Sequence, residues 1–168
     1  AATLEAHQGT KNPAAPWCRW ALSHMGKVAN NLGVFLEDRG DEESAFLAYQ
    51  EARRLDTNNL SALINVHTLT KKEQRPEFEA IDRDLQKRIK NQQGRYRLWS
   101  LAYYYGYIRA PELYAGRGWA WAMSGKPNLA AGDMRKAVEV SGGRQSAQLA
   151  LAALYFSQDL DAQSESTF

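Results

Sequence analysis

From residue 26 to residue 59 the chain reads GKVANNLGVFLEDRGDEESAFLAYQEARRLDTNN, 34 residues forming two amphipathic stretches with one short break. The break is Arg39-Gly40-Asp41. Gly40 can take the left-handed backbone that closes a helix. Asp41 can accept from the free N–H groups that open the next one, where Glu42 and Glu43 suit the helix dipole. A tight helical hairpin is expected. On its first helix Leu32, Gly33 and Leu36 share a face, and on its second Ala45, Tyr49 and Ala52 recur at i, i+4, i+7. A glycine inside a helix costs about 1 kcal/mol relative to alanine, so Gly33 is explained by a close approach of another backbone.

These residues resemble the tetratricopeptide repeat family. Its 34-residue unit has a Leu-Gly pair, a bulky apolar residue, a small alanine, an aromatic and a second alanine at fixed places. Leu32-Gly33, Leu36, Ala45, Tyr49 and Ala52 occupy those places, and Leu55-Asp56-Thr57-Asn58-Asn59 stands where the family has Leu-Asp-Pro-Asn-Asn. The next unit begins at Leu60 and is degenerate, with Asn65 and Val66 in place but His67 where a small residue belongs. Its second helix, from about Glu77 to Gln92, follows Pro76 and carries Phe78, Ile81, Leu85 and Ile89 on one stripe. A third unit starts near Tyr96, with Trp99, Ala115, Trp119, Ala122 and Pro127 in family positions. A competing frame uses Gly118, Trp121, Gly125, Ala130, Met134 and Ala137 instead; strict alternation of helices favours the first frame. Two last helices, about 128–140 and 145–158, are separated by Ser141-Gly142-Gly143.

The resemblance implies an all-α, right-handed α-solenoid of about four antiparallel hairpins, near 17–59, 60–94, 95–126 and 127–158. Residues 1–16, with two prolines and little periodicity, read as a linker, and 159–168 as a polar tail. Trp17, Trp20, Ala21 and Met25 extend the first helix backward and would cover the open end of the array.

Composition excludes several classes of function. With 21 Lys and Arg against 19 Asp and Glu, the net charge of +2 gives no global attraction to nucleic acid or an anionic membrane. The longest apolar runs, 101–108 and 149–156, are far shorter than the roughly 18 residues a membrane span needs, and the chain reads as soluble, with no compartment assigned. Cys18 stands alone, which excludes an internal disulfide; it reads as a packed thiol. His7, His24 and His67 form no metal-ligand spacing, and His67 reads as a residue of the crossing with its partner helix. No nucleophile elbow, Walker loop or dinucleotide fingerprint occurs, so neither catalysis, metal nor cofactor is expected. Residues 36–56 carry seven acids and three bases, residues 71–97 nine bases and five acids. Glu79 with Arg83, and Asp84 with Arg88, are spaced as i, i+4 pairs on a solvated face.

Half of the eighteen aromatic residues lie between Tyr96 and Trp121. Trp99 and Trp119 are expected in the core. Tyr103, Tyr104 and Tyr105 cannot all point inward, because successive helical residues are about 100° apart. In the tetratricopeptide family the first helices of successive hairpins line a concave groove that holds an extended peptide or a partner helix. By position, the resemblance places Asn30, Val34, Asn65, Arg97, Ser100, Tyr104 and Tyr107 on that groove as peptide-binding residues, together with Lys27, Glu37, Ser61, Ile64 and Thr68. Chaperone-binding members hold an acidic C-terminal tail with a carboxylate clamp. Asn65 and Arg97 fit the clamp, but Asn30, Val34 and Leu101 replace its other Lys, Asn and Arg, which argues against such a ligand. The expected function is a non-catalytic module binding a protein or peptide partner. The alternatives are a spacer that self-associates through the aromatic third hairpin, or an accessory domain presenting ligand to an enzyme.

Overall fold

The computed structural model describes residues 2–7, 13–90 and 98–157, and among these it contains nine α-helices and no strand. They divide into two units, residues 1–108 and 109–168, each described here by itself. In the first unit α1 (Ala2–His7) packs on α2 (Ala15–Asp38), followed by α3 (Glu42–Leu55), α4 (Leu60–Lys72), α5 (Phe78–Lys90) and α6 (Leu98–Tyr105). The second holds α7 (Pro111–Met123), α8 (Pro127–Val140) and α9 (Gln145–Ser157). The stretch read as a linker therefore contains a helix, which an ion pair between Glu5 and Arg54 of α3, 2.6 Å apart, ties down. The expected tail at 159–168 lies outside the described residues.

The α2–α3 hairpin forms as its sequence indicates. Gly40 turns at φ 83°, Asp41 caps α3 by accepting from Ser44 N–H at 3.1 Å, and the two helices run antiparallel. Tyr49 lies on Gly33, where a β-carbon would come within 2.5 Å of its ring. Its hydroxyl donates to Glu37 at 2.8 Å, so the one carboxylate in the interior of this hairpin face has a buried partner. Ala45, Tyr49 and Ala52 are wholly buried, and Ala62, Val66 and Leu69 of α4 continue that core. Leu32 is exposed instead of packed; it stands about 100° from Gly33 and joins Trp17, Trp20, Val28 and Phe35 on an uncovered side of α2. His67 meets α5 as expected, with Nε2 at 2.9 Å from Asp82 and its ring 5.2 Å from that of Phe78.

The charge asymmetry of the sequence is largely a complement between neighbouring helices. Acids of α3 meet bases from α4 and beyond: Glu42 pairs with Lys72, and Glu43 with Arg75 at 2.6 Å, while the Arg75 guanidinium covers the Phe46 ring at 4.3 Å. Arg53 and Arg88 both reach Asp84 at 2.9 Å. Asp84 with Arg88 is thus an i, i+4 pair as spaced, whereas Arg83 donates to the main-chain carbonyl of Glu79 and not to its carboxylate.

In the second unit α7 packs closely on α8, the pairing of the competing frame, and α8 packs in turn on α9, the hairpin expected at 127–158. Gly118 lies against Met134 as Gly33 lies against Tyr49, at the same sequence separation, and Gly125 turns at φ 68° as Gly40 does. This registration explains why Trp119 is partly exposed: Gly118 holds the inner line, and its neighbour is turned about 100° away. Arg117 grips Asp133 through two hydrogen bonds of 2.6 and 2.7 Å across the pair. Ala130, Met134, Leu151, Leu154 and Tyr155 form the core between α8 and α9.

Candidate functional site

The residues expected on an open groove converge in the first unit, where α6 rests on α2 and α4. Helices leave their last carbonyls without intrahelical partners, and α6 is only eight residues long, so much of its main chain needs outside donors. Side chains of α2 and of the turn before α4 supply them: Lys27 donates to the Tyr103 carbonyl and Asn59 to that of Tyr105 at 3.1 Å, while Ser61 of α4 donates to the Leu101 carbonyl, further into the helix, at 3.2 Å. A lysine at this end also opposes the negative pole of the helix.

After α6 the chain turns at Gly106, φ 95°, into a stretch without regular structure. Its N–H and C=O groups are held just as closely. Tyr107 N–H donates to Asn31 Oδ1 at 2.8 Å, and the Tyr107 carbonyl accepts from Asn30 at 2.7 Å and from Asn65 at 2.9 Å. Asn65 also donates to Asn30 Oδ1 at 2.9 Å, which fixes the orientation of both carboxamides. Leu101 and Ile108, at either end of the segment, are both buried.

Asn30, Val34 and Asn65 are buried and do not face an open channel, because the chain's own residues 101–108 lie on the wall that the two asparagines help to build. Ser100 and Tyr107 are half-buried. Tyr104 is 64% exposed, its ring edge-on to Tyr103 with centroids 5.1 Å apart. Trp99, expected in the core, is half exposed, because α6 turns Leu101 inward instead. Arg97 lies outside the described residues. Glu37 is turned into the hairpin, away from any ligand, by its bond with Tyr49.

Two residues of the wall were not singled out by sequence reasoning. Asn31 and Asn59 bind the segment as closely as Asn30 does, and Asn59 also caps α4 by accepting from Ala62 N–H at 2.9 Å. The available signal was the asparagine pair inside a long helix, since asparagine is a poor helix former and gains by being there only when its amide has work to do elsewhere. Beside the wall, Lys27, Asn31, Trp99, Ala102, Tyr103 and Tyr107 line an open cleft of about 350 Å³. Lys27 stands 5.5 Å from the centre of the Tyr103 ring.

The ionisable groups with altered protonation lie elsewhere. Hydrogen bonds that Arg75 donates to the Glu73 and Glu43 carboxylates hold its guanidinium above its usual value; Arg54, through Glu51 and Glu5, is raised in the same way, and its hydrogen bond holds Glu51 low. Burial acts to raise the Asp84 carboxyl, but the hydrogen bonds and charges of Arg88 and Arg53 outweigh it and hold the group below the ordinary carboxylate range. Among the described residues no three His, Cys, Asp or Glu side chains are grouped to hold a metal ion, and no helix is long and apolar enough to cross a membrane. No protein-family model matches the chain, and no curated protein matches it.

Proposed function

We propose that this chain is a protein-interaction module without catalytic activity of its own, which takes an extended peptide or partner helix against the inner faces of its first helices in the manner of a tetratricopeptide-like solenoid. The observation that carries the reading is the set of asparagine, serine and lysine side chains on α2 and α4 and the turn before α4, directed at the main chain of another segment. Recognition through main-chain groups supplies affinity. The exposed rings of Trp99, Tyr103 and Tyr104 beside it supply rigid contact area for selectivity.

Selection of a random peptide library on the immobilised chain, followed by titration of the enriched peptides, tests the reading. Tyr104→Ala removes exposed contact area without entering the core, so it should weaken binding by about fivefold or more at unchanged helicity. Failure to enrich any peptide, or equal affinity of the variant, argues against this surface. A second reading, assembly with another copy of the chain, is favoured by the uncovered apolar side of α2 together with the exposed rings of α6. Light scattering that gives a constant monomer mass over a wide concentration range removes it.

A further inference from the structure

The wall of α2 and α4 is polar where polar groups are costly to bury. Asn30 and Asn65 are sealed from solvent, and the amides of both donate to the Tyr107 carbonyl. The segment they hold has a buried aliphatic side chain at each end and a glycine where a side chain has no room. A β-carbon on Gly106 would lie 2.6 Å from Asn31 Oδ1, 2.8 Å from Asn30 Nδ2 and 3.0 Å from the Lys27 carbonyl, on a backbone already at φ 95°. The wall therefore meets main-chain groups at defined places and a glycine, in a segment whose residues five positions before and two positions after that glycine are buried aliphatics.

The geometry points to a binding surface in its self-occupied state: residues 101–108 are a built-in ligand, and the partner that fits the wall is a segment ending a short helix at glycine, with the same two aliphatic anchors, which enters by exchange with the chain's own segment. This deepens the interaction reading and rests on it. Self-occupancy lowers the apparent affinity for an incoming segment by the fraction of molecules whose wall is vacant. Removal of the internal occupant should raise that affinity without any change to the wall.

The probe is a fluorescein-labelled peptide of residues 98–110, titrated into the full chain and followed by anisotropy. Gly106→Val forces the internal segment off the wall, and the variant should bind the peptide at least about tenfold more tightly than the unaltered chain. A peptide carrying the same valine should bind neither. Ile108→Ala removes an anchor of the occupant and leaves both glycine and wall intact, so it should move affinity in the same direction by less. In the unaltered chain, excess peptide should speed deuterium exchange at the Tyr107 amide, a readout that stands even where both variants fail to fold. Helical variants that bind no better than the unaltered chain overturn the proposal, as does a Tyr107 amide that stays protected at peptide excess when the variants do not fold. If library-selected peptides bind while this peptide does not, self-occupancy falls and the interaction reading stands. If neither binds, both fall.

Discussion

Asn65 donates to the Oδ1 atom of Asn30 at 2.9 Å, and with both side chains sealed from solvent the pair fixes the one orientation in which the two amides meet the Tyr107 carbonyl together. Asn65→Ala removes two buried hydrogen bonds and leaves their acceptors under-satisfied. It should destabilise the first unit by about 1–3 kcal/mol in urea unfolding, and Asn65→Asp, which puts an acceptor opposite acceptors, by no less at neutral pH. A melting curve superimposable on that of the unaltered chain contradicts the account of the wall.

The two glycine contacts should respond unequally to the same change. Gly33→Ala drives a methyl group to 2.5 Å from the rigid Tyr49 ring, whereas Gly118→Ala meets the flexible Met134 side chain at 3.0 Å and the Ala130 carbonyl at 3.2 Å. Overpacking costs of about 1–3 kcal/mol oppose a helix-propensity gain of about 1 kcal/mol, so Gly33→Ala should be clearly destabilising and Gly118→Ala less so. Denaturant midpoints for the two variants decide it; the reverse order would mean that the Tyr49 ring moves aside.

Ala45 is wholly buried between α3 and its neighbours. Ala45→Leu adds three carbons where no space exists and should lower stability by about 1–3 kcal/mol. Calorimetry that returns the original melting temperature would show that the helices yield at this position.

Acid should reveal the Asp84 cluster. Its carboxyl is held below the ordinary range in the folded chain, so its contribution to stability is fully present above the unfolded value of about 3.9 and is lost as pH falls through the lower folded value. Asp84→Asn should therefore cost about 0.5–1 kcal/mol near pH 7, and the difference should shrink on acidification below about pH 4. A difference independent of pH would assign the loss to packing.

How legible each feature was in the sequence depended on the range of the interaction behind it. Gly40-Asp41, the i, i+4, i+7 series of Ala45, Tyr49 and Ala52, and the stop at 141–143 are local signals, and the helices they predict are present. Glu37 was placed on a groove by position, yet a hydrogen bond to Tyr49 twelve residues away decides its direction. Trp99 and Trp119 were expected in the core by their family positions and are exposed; an offset of one residue on a helix turns a side chain by about 100°. Asn30 and Asn65 were expected on an open groove and Asn31 and Asn59 were not singled out, because what the four face could not be read from their own segments. Their partners lie between 42 and 77 positions along the chain.

Helix positions, caps and the small-against-large contacts within each hairpin were determined by the sequence, because each depends on neighbours within one or two turns or on a fixed periodicity. Which surface stays open was decided only by tertiary structure. That α6 and Gly106 lie down on the asparagine wall is set by burial of Leu101 and Ile108 and by main-chain hydrogen bonds, interactions that join distant parts of the chain and leave no periodic mark in it.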